Sequence, residues 1–227
     1  MCYVVGRKKK NLVKVVVLGD LNVGKTSLLR RFVNGTSTTS SLTGQRSQPT
    51  IGADILVKEV EIIDGTSVTV QIWDTAGQER FCGLSPAYFR GADCCVLVFN
   101  VTEPSTFDSV DGWRKAFLKD SNVRYPMIFP FVVVGNKVDK IDGRNNHMDF
   151  RKVIQWCQAN NGITYFHTSA EDGSRVNDAF QKIVHYAYDY NKTCSNGIVD
   201  VISNQESFML VPETRREKVN NFYKGCC

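Results

Sequence analysis

GDLNVGKT, Gly19–Thr26, lies between the apolar run LVKVVVL (Leu12–Leu18) and the amphipathic segment SLLRRFV (Ser27–Val33). A strand, a glycine-rich turn and a helix in that order make this stretch a phosphate-binding P-loop, whose backbone N–H groups point at a polyphosphate. In it, Lys25 adds a point charge toward the β- and γ-phosphates, and the Thr26 hydroxyl is a ligand for Mg²⁺. Leu12–Leu18 shows no alternation of apolar and polar residues, as expected of a parallel strand buried on both faces.

Downstream, residues 35–50 are rich in Ser and Thr without periodicity and read as a loop. Strands over Ala53–Ile63 and Thr66–Trp73 flank Asp64-Gly65, a strong hairpin signal, so this pair is predicted to be antiparallel. From Ala92 onward, apolar strands alternate with amphipathic helices: CCVLVFNV, a helix over about Ser105–Lys119, FPFVVVG, a second helix, ITYFHTS, and a last helix over about Ser174–Lys192. That alternation predicts an α/β fold with a six-stranded, mostly parallel sheet, one antiparallel strand and helices on both faces. Ligands of such sheets sit at the carboxyl ends of the strands, where the Gly19 loop, Asp74, Asn136 and Ser169 all fall.

With 227 residues, 42% of them apolar, the chain can bury one substantial core. The predicted organisation is a basic arm (1–10), a globular domain (11–192) and a flexible tail (193–227). The net charge is +5, and Arg7, Lys8, Lys9, Lys10 and Lys14 account for it. The balanced remainder argues against a nucleic-acid-binding face, and leaves the arm as either a solvated extension or an attraction to anionic lipid. No segment reads as a membrane span or a signal peptide, so a cytosolic chain is expected. Of eight cysteines, Cys94 and Cys95 lie inside an apolar run and no C-x-x-C pair occurs, which favours reduced thiols.

Further segments each supply something a guanine nucleotide needs. WDTAGQER (Trp73–Arg80) puts Asp74 at a strand end, where it can hold Mg²⁺ through water. Gly77 lets the backbone approach a γ-phosphate, and Gln78 can orient the attacking water, as the catalytic residue. NKVD (Asn136–Asp139) follows a buried strand, and a carboxylate there accepts two hydrogen bonds from guanine N1 and N2, a donor pair that adenine lacks. TSA (Thr168–Ala170) follows the last strand, where a backbone N–H can meet the guanine carbonyl.

GDLNVGKT, PTIGAD, WDTAGQER, NKVD and TSA, in this order over about Asn11–Lys192, resemble the Rab family of small GTPases. IGADILVKEV, YFRGADCCVLVF and FPFVVVGNKVD are most similar to its late-endosomal and lysosomal branch. The resemblance implies a P-loop small G domain, monomeric, that switches between GTP and GDP with Mg²⁺. It implies nucleotide contacts from Gly19, Asn22, Val23, Gly24, Lys25, Thr26, Ser27, Thr50, Gly77, Asn136, Lys137, Asp139, Ser169 and Ala170, with Thr26, Thr50 and Asp74 at the metal. Ile55, Trp73 and Tyr88 correspond to the effector surface. Cys226 and Cys227 correspond to a double geranylgeranylation site, and two lipid chains anchor stably where one does not. Implied partners are a GAP, an exchange factor, effectors, a prenylation escort and a GDP-dissociation inhibitor. The implied location is the cytosol, cycling to the cytoplasmic face of endosomal, lysosomal or other vesicle membranes.

The chain departs from that pattern in places. Leu21 and Asn22 stand where small residues or Gly are usual; Leu21 is expected to crowd a GAP's catalytic group, and Asn22 tolerates positive φ. The loop before Thr50 is long and contains no aromatic residue to lie beside the base. Glu171 replaces the Lys expected after Ser-Ala, and Ile55 replaces an aromatic. A nucleotide-binding scaffold with little hydrolysis is the alternative that Leu21 and Asn22 support. A P-loop ATPase or kinase gives no reason for NKVD.

Overall fold

The computed structural model of the chain describes residues 11–35, 53–75, 86–141 and 148–195. Its strands are β1 (Asn11–Leu18), β2 (Ala53–Glu61), β3 (Ser67–Thr75), β4 (Cys94–Asn100), β5 (Phe131–Asn136) and β6 (Thr164–His167). They form a six-stranded sheet in the order β2-β3-β1-β4-β5-β6. Among the described residues only β2 and β3 pair antiparallel, in register from Ala53↔Thr75 to Glu61↔Ser67; the other pairings are parallel. The expected fold class is therefore the one observed. At the hairpin, Gly65 takes φ 78° and its N–H returns to the Ile62 carbonyl at 2.8 Å, while the Asp64 carboxylate accepts from the Thr66 N–H at 2.9 Å. Asp-Gly closes the turn with its own local chemistry.

The helices are α1 (Lys25–Asn34), α2 (Ser105–Asp108), α3 (Val110–Asp120), α4 (Phe150–Ala159) and α5 (Val176–Ser195). Sequence periodicity predicts one helix over 105–119; the chain instead turns at Ser109, between α2 and α3, with φ −78° and ψ −19°. The backbone stays in the right-handed helical region there, so a one-residue interruption leaves the apolar stripe continuous. Gly35, at φ 71°, ends α1 by donating its N–H to the Arg31 carbonyl at 2.9 Å, as a left-handed C-terminal glycine does.

Helices cover both faces of the inner strands, which is why β4 and β5 are buried along their whole length, whereas edge strand β2 keeps Asp54, Lys58, Glu59 and Glu61. On β1, Val13, Val15 and Val17 join Leu28, Leu29 and Phe32 of α1 and Phe180, Ile183 and Val184 of α5 in one buried cluster. Phe32 and Phe180 stack with ring centroids 4.4 Å apart. On the other face Phe99 meets Phe107, and Phe117 of α3 meets Phe89 and Phe131. Cys94, Cys95 and Cys157 are free and buried, and burial pushes their thiols up, Cys157 to about 12, so they stay protonated in the core. The described cysteines are thus reduced, as expected.

The chain divides into two units, residues 1–192 and 193–227. The whole sheet belongs to the first. Of the second, only the last residues of α5 are described. No described helix is long and apolar enough to cross a membrane.

Candidate functional site

The carboxyl ends of β1, β3, β5 and β6 place Gly19, Asp74, Asn136 and Ser169 on one side of the sheet, because parallel strands feed their loops to the same edge. The P-loop is held open by backbone geometry. Gly19 has φ 151°, and a Cβ there would lie 2.2 Å from the Val98 carbonyl oxygen. Gly24 has φ 96°, and a Cβ there would lie 2.4 Å from Asn136 Nδ2. Neither position accepts a side chain. Asn22 sits at φ 66°, the conformation its short amide side chain tolerates, and Leu21 is 41% exposed.

At the start of α1, Gly24 is the N-cap and no described side chain caps the helix, so its first N–H groups face the loop. That is the arrangement a phosphate uses. The loop interior is packed by Val23, which is 0% exposed. Lys25 is buried, and its Nζ donates to the Gly19 carbonyl at 2.8 Å and the Asp20 carbonyl at 3.1 Å. The ammonium is thereby held along the loop's concave side.

Thr26 Oγ1 donates to Asp74 Oδ2 at 2.5 Å, across 48 residues of sequence. Asp74 is 1% exposed, and its Oδ1 is buried without a hydrogen-bond partner among the described residues. Burial raises the Asp74 carboxyl above the ordinary range, against the Thr26 hydrogen bond and the Lys25 charge, which lower it. A buried carboxylate with one oxygen unpartnered, beside a hydroxyl, is a hard oxygen donor set that fits Mg²⁺.

Beside the loop lie the NKVD and TSA segments. Asn136 is 1% exposed and spends both ends of its amide inside the protein: Nδ2 donates to the Val23 carbonyl at 2.9 Å, and Oδ1 accepts from the Ala170 N–H at 3.1 Å. It is a strut between the P-loop and the TSA turn. Lys137 takes φ 70° and brings its Cε to 3.9 Å from the Cβ position of Gly24. Burial lowers its pKa, with Lys140 adding to the effect. Ser169 Oγ donates to Asp139 Oδ1 at 2.6 Å and accepts from the N–H groups of Glu171 and Asp172 at 3.1 and 3.2 Å. Its hydroxyl therefore organises both the carboxylate and the turn.

On the sheet face that carries Trp73, Ile55 pairs opposite it in register and is 46% exposed. Tyr88 meets Trp73 edge-on at 5.7 Å, and Lys14 Nζ sits 3.8 Å from the Trp73 ring centroid. The residues expected on an effector surface are thus adjacent. Ser27 lies in the first turn of α1. Thr50, Gly77 and Gln78, like the lipidation candidates Cys226 and Cys227, lie outside the described residues.

Sequence reasoning missed other contributors. Asp20, inside the P-loop, accepts from Trp113 Nε1 of α3 at 2.7 Å, across 93 residues. Arg31, in the last turn of α1, donates to carbonyls of the TSA turn, across 139 residues. No spacing rule connects residues so far apart, and Arg31 reads only as a favourable charge at a helix C-terminus.

The model of the Ras family matches residues 14–189. Ras-related protein Rab7 of Drosophila melanogaster is 49% identical over 180 residues, covering 79% of this chain and 82% of its own. Ras-related protein Rab-7a of Paramecium octaurelia is 47% identical over 185 residues, covering 82% of this chain and 85% of its own. Ras-related protein RABG3b of Arabidopsis thaliana is 46% identical over 181 residues, covering 79% and 85%. A G-domain sheet with a P-loop at its carboxyl edge, matched over this much of its length, places the chain in the Ras family of small GTPases, similar to Rab7 and so a GTP hydrolase.

Proposed function

We propose that this GTPase is a GTP/GDP switch of membrane traffic, late-endosomal or lysosomal in compartment. The compartment rests on the resemblance to that Rab branch and on the Rab7 relatives. The observation that carries the switch reading is the hydrogen bond from half-buried Thr26, in the first turn of α1, to buried Asp74, at a helix start that no described side chain caps. Thr26 and Asp74 would hold Mg²⁺, with Thr50 as the further ligand that registers the γ-phosphate, and the ion would supply neutralisation of phosphate charge. Lys25 and the N–H groups of Val23 to Ser27 bind the phosphates, Gly77 approaches the terminal one, and Gln78 orients water for attack. Asp139, Lys137 and the turn at Ser169 and Ala170 hold guanine. Loss of the γ-phosphate releases Thr50 and Gln78, and with them the effector surface at Ile55, Trp73 and Tyr88. Regulators of this cycle are a GAP, an exchange factor and a GDP-dissociation inhibitor.

Leu21 supports slow turnover, because an exposed branched side chain at the loop rim obstructs a GAP's catalytic group. Leu21→Ser is expected to hydrolyse GTP several-fold faster than wild type in single-turnover phosphate release with a GAP. Equal rates would remove Leu21 from the account. Lipid on Cys226 and Cys227, attached by a prenylation escort, supplies membrane attachment in this reading. Serine at both positions is expected to move the tagged chain from the membrane to the soluble fraction on cell fractionation. An unchanged distribution would refute the anchor.

A further inference from the structure

We propose that Arg31 is a positioning residue for guanine recognition, acting on Asp139 through the turn at 169–172; the proposal rests on the reading that Asp139 meets the base.

The guanidinium makes a fork against consecutive peptide groups. Arg31 Nε donates to the Ala170 carbonyl at 3.1 Å, and Nη2 donates to the Glu171 carbonyl. A trans peptide points its C=O and its N–H in opposite directions. The N–H groups belonging to those same peptides are Glu171 N and Asp172 N, and both donate to Ser169 Oγ. Each peptide plane is therefore held at its oxygen by Arg31 and at its hydrogen by Ser169.

Accepting both N–H groups leaves the Ser169 hydroxyl proton to point one way, and it points at Asp139 Oδ1, 2.6 Å distant. The chain of contacts runs from guanidinium to peptide planes to hydroxyl to carboxylate. Every link is a hydrogen bond with a defined direction. A planar fork suits this task because two donors fixed in one plane set the orientation of two carbonyls together, which a single ammonium does not.

The seat is shaped for that group. Gly173 lies at φ 87°, and a Cβ there would approach Arg31 Nε to 3.1 Å and Cζ to 3.3 Å. Arg31 Nη1 also donates to the Gly35 carbonyl at 3.3 Å, which ties the fork to the end of α1. The P-loop helix thus reaches the base side of the site at its far end as well as at Asn136. Glu171, standing where the family has Lys, contributes its carbonyl to the fork. Arg31 further borders an open cleft of about 500 Å³ with Asp172, Gly173 and Asn177, so shortening its side chain widens open space and leaves no buried void.

Inosine diphosphate separates a positioning role from a structural one, since hypoxanthine keeps N1–H but lacks the 2-amino group. Wild type is expected to release IDP faster than GDP, because one Asp139 hydrogen bond is absent. In Arg31→Ala, GDP release is expected to rise about five- to tenfold, with and without Mg²⁺, while IDP release changes less, so that the IDP-to-GDP ratio falls toward one. Arg31→Lys is expected to give an intermediate ratio, and it carries the test if the alanine variant does not fold. A ratio equal to that of wild type in the folded variants, whatever the absolute rates, overturns the role of Arg31 and leaves base recognition by Asp139 standing. Equal release of IDP and GDP by wild type overturns base recognition by Asp139, and the proposal with it.

Discussion

Asp139→Asn is expected to weaken GDP binding by about a hundredfold and to make xanthosine diphosphate the preferred ligand. The carboxylate accepts from guanine N1 and N2, and an amide presents one acceptor and one donor. One charge-assisted hydrogen bond is lost and an N–H is turned against the 2-amino group, about 3 kcal/mol together, or roughly two powers of ten. Xanthine carries a carbonyl oxygen where guanine carries that amine, so the same amide satisfies it. Ser169 makes this an orderly exchange: its Oγ donates to Asp139 Oδ1 at 2.6 Å, and it will keep the oxygen of Asn on its own side. Competition of GDP and XDP against a fluorescent nucleotide measures the swap. Retained preference for GDP would refute the assignment of Asp139 to the base.

Asp74→Asn is expected to abolish the acceleration of GDP release by a metal chelator, and to cost about ten- to a hundredfold in affinity when Mg²⁺ is present. The same variant is expected to leave the nucleotide-free fold as stable as wild type or more so at neutral pH. The sign follows from burial. Asp74 has a raised pKa in the folded chain, so its contribution to stability is present below the ordinary carboxylate value of about 4 and lost as pH rises through the raised one. At neutral pH the ionised, 1%-exposed carboxylate is a cost that metal offsets and that an amide removes. Thermal melts in chelator from acid to neutral pH should show the variant's advantage shrinking as pH falls. Mg²⁺ binding by wild type should also fade at higher pH than for an exposed carboxylate. A chelator effect equal to that of wild type would displace Asp74 from the metal.

Most of the architecture was legible because it is written in short-range pattern. The Asp64-Gly65 turn, the apolar runs of β4 and β5 and the Gly35 helix end each depend on residues within a few positions of one another. The P-loop was legible for the same reason, down to the positive φ of Asn22. The helix predicted over 105–119 holds as well, apart from a one-residue interruption at Ser109 whose backbone stays in the right-handed helical region. At the site, residue types identified Asp74 at a strand end and Asp139 in the segment that follows one, but not what holds them. Thr26 and Ser169 do so, at separations of 48 and 30 residues.

The sequence by itself determined the fold class, the phosphate loop and the choice of guanine, since each follows from residue type at fixed local spacing. Tertiary structure alone decided which Asp74 oxygen has no partner among the described residues, that Asn136 ties the P-loop to the TSA turn, and that Arg31 braces that turn from the end of α1. Those contacts depend on which strands lie side by side in the sheet, a property of the whole chain that no window of sequence contains.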